Sequence, residues 1–111
     1  MFSYAHGIDV DVAHGEIFVM SDNSILVFPL TADGNVSTIR VIGGVYTGIV
    51  DPIDIAYDPL ADELAVANYG WPDGGSIVVF GRTDTGNLPP VRRIGGPNSG
   101  IRTPRGIAAG W

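Results

Sequence analysis

Short apolar runs separated by glycine, proline and aspartate recur along the whole chain, and their alternation predicts strands rather than helices. In the first run Ile8, Val10 and Val12 fall on one side while Asp9 and Asp11 fall on the other, the period-two pattern of a half-buried strand. The next two runs are apolar on both sides, with Ile17, Phe18, Val19 and Met20 followed by Ile25, Leu26, Val27 and Phe28. A sheet built from such strands must be covered on both faces. Four strands are expected at 7–12, 16–20, 24–29 and 37–43, joined by turns at His14-Gly15, Asp22-Asn23 and Asp33-Gly34-Asn35, where Gly and Asn tolerate positive φ. Four more are expected near 53–57, 63–68, 76–82 and 90–94.

The second set of strands repeats the first. Asn23-Ser24-Ile25-Leu26-Val27-Phe28 recurs as Gly75-Ser76-Ile77-Val78-Val79-Phe80 at an offset of 52, which also superposes Gly34-Asn35 on Gly86-Asn87 and Ile42-Gly43-Gly44 on Ile94-Gly95-Gly96. Upstream, Ile8-Asp9-Val10-Asp11 and Glu16-Ile17-Phe18-Val19 match Ile55-Ala56-Tyr57-Asp58 and Glu63-Leu64-Ala65-Val66 at an offset of 47. The difference is an insertion around Gly70-Trp71-Pro72-Asp73-Gly74. Four strands per unit, repeated, predict an all-β chain of β-propeller blades, each a four-stranded antiparallel sheet. Blade 1 is expected at about 7–44, blade 2 at about 52–96, and the start of a third at about 103–111, where Arg105-Gly106-Ile107 aligns with His6-Gly7-Ile8. Two blades alone leave wide apolar faces uncovered. The chain is therefore expected either to be a piece of a longer propeller or to complete a ring with further copies of itself.

Composition narrows the chemistry. Apolar residues make up 45% of the chain and charged residues 16%, too rich a core and too little charge for disorder, while no apolar run reaches the roughly 20 residues of a membrane helix. The net charge is −6 and all six cationic side chains are Arg, so no nucleic-acid partner and no membrane insertion are expected. Without Cys there is no disulfide, thiolate metal site or cysteine nucleophile. No signal peptide is visible ahead of Asp9.

At several positions the chain resembles the NHL-repeat β-propellers. Pro52-Ile53-Asp54-Ile55-Ala56-Tyr57-Asp58-Pro59, Leu64-Ala65-Val66-Ala67-Asn68, Ser76-Ile77-Val78-Val79-Phe80 and Arg93-Ile94-Gly95-Gly96 stand where that repeat has its strand A, strand B, strand C and closing Ile-Gly-Gly. Asp54 departs from the usual Gly of strand A, and the insertion carrying Trp71 is longer than the usual turn. The resemblance implies a ring commonly of six blades and an extracellular or periplasmic setting. It extends to protein-binding scaffolds and to a few metal-dependent enzymes, the gluconolactonase-like hydrolases and the amidating lyase, so fold alone does not assign a reaction.

Candidate chemistry is sparse. His6 opens strand A, where the amidating lyase places zinc ligands, and Asp9, Asp11 and Asp54 could bring carboxylates to a channel cation, Asp9 and Asp11 being about 6.6 Å apart along one strand face. His6, Asp9 and Asp54 are thus the candidate ligands for Ca or Zn, although no cofactor is expected. His6 also reads as a plain surface histidine, its counterparts Ile53 and Arg105 being poor ligands, and Asp58 before Pro59 reads as a turn-former. The insertion loop carries Tyr69 and Trp71 as candidate contacts for a protein or carbohydrate partner. Arg92 and Arg93 are candidates for an anionic partner or for pairing with acidic loops of a neighbouring blade. No phosphate-binding loop and no Gly-x-Ser-x-Gly elbow is present. A non-enzymatic scaffold acting through protein partners, its own copies or further blades is the expected function; part of a metal-dependent hydrolase or lyase is the alternative.

Overall fold

The computed structural model describes residues 5–69, 75–101, 104 and 106–108, with the side chain of His6 excepted. Among the described residues eight strands are present: β1 (Ala5–Asp11), β2 (Glu16–Ser21), β3 (Ser24–Pro29), β4 (Arg40–Gly43), β5 (Pro52–Asp58), β6 (Glu63–Asn68), β7 (Ser76–Gly81) and β8 (Arg92–Gly95). They form two four-stranded antiparallel sheets in the orders β1-β2-β3-β4 and β5-β6-β7-β8. The protein is all-β, with sheets built like propeller blades.

The repeat extends to the irregularities. Each innermost strand carries a register shift near its start, between Ala5 and Gly7 in β1 and between Pro52 and Asp54 in β5. Both outermost strands are shorter than the apolar pattern suggests. Pro89 and Pro90 have no N–H to give a ladder, so β8 begins only at Arg92, just after the Val91 amide bonds the Val79 carbonyl. The described residues after Gly100 form no strand. The Ile107 amide nonetheless donates to Asp54 Oδ2 at 3.1 Å, which lays this segment along the inner edge of the second sheet.

The sheets pack face to face, and strand alternation decides what lies between them. Register pairs place Phe18, Met20, Ile25, Val27 and Ile42 on one face of the first sheet, and all five are fully buried. Opposite them the second sheet contributes Ile55, Tyr57, Leu64, Val66, Val78 and Phe80. The Phe18 and Tyr57 rings meet across the junction with centroids 5.3 Å apart and planes tilted by 36°, a separation favourable for aromatic pairs. Gly7 lets the inner strands approach, because a Cβ there would sit 3.0 Å from the Asp54 Cα.

Polar groups fasten the same junction at both edges. At the inner edge Asp9 Oδ2 accepts the Tyr57 amide at 2.7 Å. At the outer edge the Gly43 amide donates to the Gly86 carbonyl at 3.1 Å and the Gly86 amide to the Val41 carbonyl at 2.7 Å. Beside them Gly44, at φ 127°, lies so close to the Asn87 side chain that a Cβ would overlap it, and Asn87 Oδ1 accepts the Tyr46 amide at 2.8 Å. Asn68, fully buried at the end of β6, ties the incoming connection down through the Val50 amide, the Gly48 carbonyl and Ser76 Oγ, leaving no buried amide group unpaired.

Candidate functional site

The densest group of ionisable side chains lies where the sheets meet. Asp11 ends β1, Glu16 opens β2 and Arg40 opens β4, all on the face turned to the second sheet. Tyr57 on β5, Asp62 in the following turn and Arg82 just after β7 come from the other side. Arg82 bridges the two: its Nε lies 2.7 Å from Asp62 Oδ1 and 3.7 Å from Asp11 Oδ2, and its Nη1 lies 3.1 Å from Glu16 Oε1. Arg40 grips Glu16 through two bonds of 2.9 and 2.6 Å, and also donates to the Arg82 carbonyl at 3.2 Å. The Asp11 side chain is only 3% exposed. It accepts the His14 amide at 3.2 Å, and its second oxygen lies 2.5 Å from His14 Nδ1.

These contacts set the protonation states. Burial pushes the Asp11 carboxyl up, but hydrogen bonds from the His14 amide and ring outweigh it and hold the group below its ordinary value. The Arg40 bonds hold Glu16 low against the opposing effect of burial, with Arg82 adding to them. The Tyr57 hydroxyl, which donates to Asp62 at 2.7 Å, and then Arg82 do the same for Asp62. Burial, and then the Asp62 carboxylate, raise Tyr57 far above an ordinary phenol. The arrangement is an ion-pair lock, with its carboxylates ionised and its phenol neutral.

Asp11, His14 and Asp62 also offer three ligand atoms within 4.8 Å of one another, the sole such trio among the described residues. Their number suits a divalent cation, yet Arg82 already occupies lone pairs on Asp62 and sits beside Asp11. A cation could enter only by displacing that guanidinium. Removing or adding metal is therefore expected to leave the protein unchanged: thermal melts with about 1 mM Zn2+ or Ca2+ and with a chelator should coincide. A rise of several degrees with either ion would overturn this, since a ligand bound only to the folded state raises its melting point.

The proposed channel ligands do not gather into such a group. His6 lies in β1, with a side chain outside the described atoms. Asp9 gives one oxygen to the Val10 amide at 2.8 Å and the other to Tyr57. Asp54 does likewise, accepting the Ile55 amide at 2.9 Å and the Ile107 amide. Asp9 thus stitches β1 to β5, and Asp54 ties β5 to the segment holding Ile107. Asp58 accepts the Leu60 and Ala61 amides as its position before Pro59 predicts.

Tyr69 is exposed and lines a shallow cleft with Asp22, Asn23 and Asp51. Trp71 lies outside the described residues. Arg92 does not reach a neighbouring blade: it pairs with Glu63 of its own sheet at 2.9 and 2.6 Å, the repeat of Arg40 on Glu16. Arg93 is exposed on β8. The recurrence of Glu16 as Glu63 and of Arg40 as Arg92 is the sequence signal for this strut. Arg82 had none, because its counterpart at the offset of 52 is Leu30.

Among the described residues no helix is long and apolar enough to cross a membrane. No family model matches the chain, and a search of curated proteins found no relative.

Proposed function

We propose that this chain is a non-enzymatic β-propeller module that acts by presenting a blade face to protein. One observation carries the reading. Ile8, Val10 and Val12 are 64%, 43% and 73% exposed on the outer side of the first sheet, whereas Ile55 and Tyr57, which hold the places of Ile8 and Val10 in the second sheet, are 2% and 6% exposed. The repeat builds this face to be covered, and among the described residues these side chains remain exposed. A contiguous apolar patch of this kind on a soluble domain marks an interaction surface. The resemblance to NHL-type scaffolds supports the same reading. The metal-dependent hydrolase alternative finds less support, since Asp9 and Asp54 spend their oxygens on backbone amides and Arg82 holds the junction carboxylates.

A dye that fluoresces on apolar protein surface tests the proposal. The native chain is expected to bind it, and Val10→Lys, which places a charge on the patch without entering the core, is expected to reduce the signal several-fold. Equal signals from the two proteins would overturn the reading.

A further inference from the structure

The connection between β3 and β4 turns at Asp33-Gly34, with Gly34 at φ 82°, and every residue from Asp33 to Ile39 is exposed. Where the second sheet repeats this turn, Thr85-Gly86 takes the place of Asp33-Gly34 at the offset of 52, and the Gly86 amide is held by the Val41 carbonyl of the first sheet at 2.7 Å. Gly34 has no such neighbour. Its carbonyl accepts the Val36 amide at 3.1 Å, but among the described residues its own amide donates to nothing and no group bonds the Asp33 carboxylate.

These two free groups are the ones that react when an aspartyl peptide rearranges. A peptide nitrogen is a weak nucleophile because its lone pair is delocalised into the C–N bond, so it attacks only where its proton is free to leave. Glycine adds no Cβ to crowd the ring that must close. No other described aspartate combines these conditions. Pro52 and Pro59 leave Asp51 and Asp58 without a following N–H. Asp9, Asp54 and Asp84 hold backbone amides with their carboxylates, Asp11 and Asp62 belong to the ion-pair lock, and Asp22 is followed by the bulkier Asn23.

We infer that Asp33-Gly34 is a site of spontaneous backbone rearrangement, at which aspartate becomes isoaspartate in the folded protein. The Gly34 nitrogen attacks Asp33 Cγ. The N–Cγ bond forms, and the amide proton leaves with the carboxyl hydroxyl as water, closing a cyclic succinimide. Water then adds back. Cleaving the N–Cγ bond restores aspartate, whereas cleaving the bond from nitrogen to the main-chain carbonyl carbon routes the chain through Cγ and frees an α-carboxylate. Overall no atom is gained or lost. The inserted methylene lies at an exposed loop tip, where a change of chain length is best tolerated. The Ile39 amide, bonded to the Val27 carbonyl at 2.7 Å, fixes the chain again before β4, so the sheets keep their register.

Prolonged incubation of the full 111-residue chain at neutral pH, followed by peptide mapping, tests this. The peptide containing Asp33 is expected to split into two chromatographic forms of equal mass. An isoaspartyl carboxyl methyltransferase with a labelled methyl donor is expected to label that position in the aged chain and not in the fresh one. Asp33→Glu, which would have to close a larger ring, is expected to abolish both signals there while melting like the native protein. Isoaspartate that forms at Asp33 in urea but not in the folded chain would overturn the inference. So would isomer confined to Asp73-Gly74, a pair outside the described residues, or a split that persists in the same peptide of Asp33→Glu.

Discussion

Arg82→Ala is expected to lower unfolding free energy by about 3 kcal/mol, the lower end of the range for removing one member of a buried ion pair. The lower end applies because Asp62, one of its partners, is 46% exposed and screened by solvent. Arg82 itself is mostly buried and is the guanidinium that joins Glu16 of one sheet to Asp62 of the other. Its loss leaves Glu16 with Arg40 alone and sets Asp62 beside Asp11 without the cation between them. In a domain of this size about 3 kcal/mol corresponds to a fall of roughly 12 °C or more in Tm. A change of less than about 3 °C would show that the lock contributes little.

The same variant changes the response to acid. Asp11, Glu16 and Asp62 all have carboxyls held below their ordinary values of 3.8 for Asp and 4.5 for Glu. Depressed carboxyls contribute stability that is fully present above the unfolded-state value and is lost as pH falls through the folded-state value. The native protein should therefore lose stability progressively below about pH 4.5. Arg82→Ala returns part of the shift at Glu16 and Asp62, so the stability curves of the two proteins should converge toward pH 3. Parallel curves measured by urea denaturation would contradict the assignment.

Phe18→Ala is expected to cost about 4 kcal/mol, within the range for deleting a buried aromatic side chain. Phe18 is fully buried, and its ring faces Tyr57 across the junction, so the truncation removes transfer energy, leaves a cavity and ends an aromatic pair. The effect should appear as loss of the whole folded signal at lower urea, with little change in slope, because the core between the sheets is shared by both. A loss below about 1.5 kcal/mol would mean that the two sheets close over the gap.

Much of this architecture is legible in the chain itself. Period-two alternation located β1, and the doubly apolar runs of β2 and β3 marked a sheet that calls for cover on both faces, of which the second sheet supplies one, because those patterns depend only on backbone geometry and burial. The offsets of 47 and 52 set Glu63 in the place of Glu16 and Arg92 in that of Arg40, although the pairing of Arg92 within its own sheet emerges only from the structure. What escaped is side-chain reach between elements distant in sequence. Asp9 and Asp54 look like channel ligands on a strand, and only the neighbouring backbone, β5 for one and the segment holding Ile107 for the other, occupies their oxygens with the Tyr57 and Ile107 amides. Arg82 escaped for the opposite reason, as it breaks the repeat that guided everything else. His14, expected only as a turn residue, is folded back onto Asp11 by the turn after β1.

The double fastening of the junction has a mechanical meaning. Hydrogen bonds from Asp9 at the inner edge and between Gly43, Gly86 and Val41 at the outer edge leave the two sheets no line about which to swing. With a core shared between them, the two sheets are held at one mutual angle. Whatever larger body it enters inherits that angle, so the curvature of any such assembly is dictated from within this junction rather than by the pieces added around it.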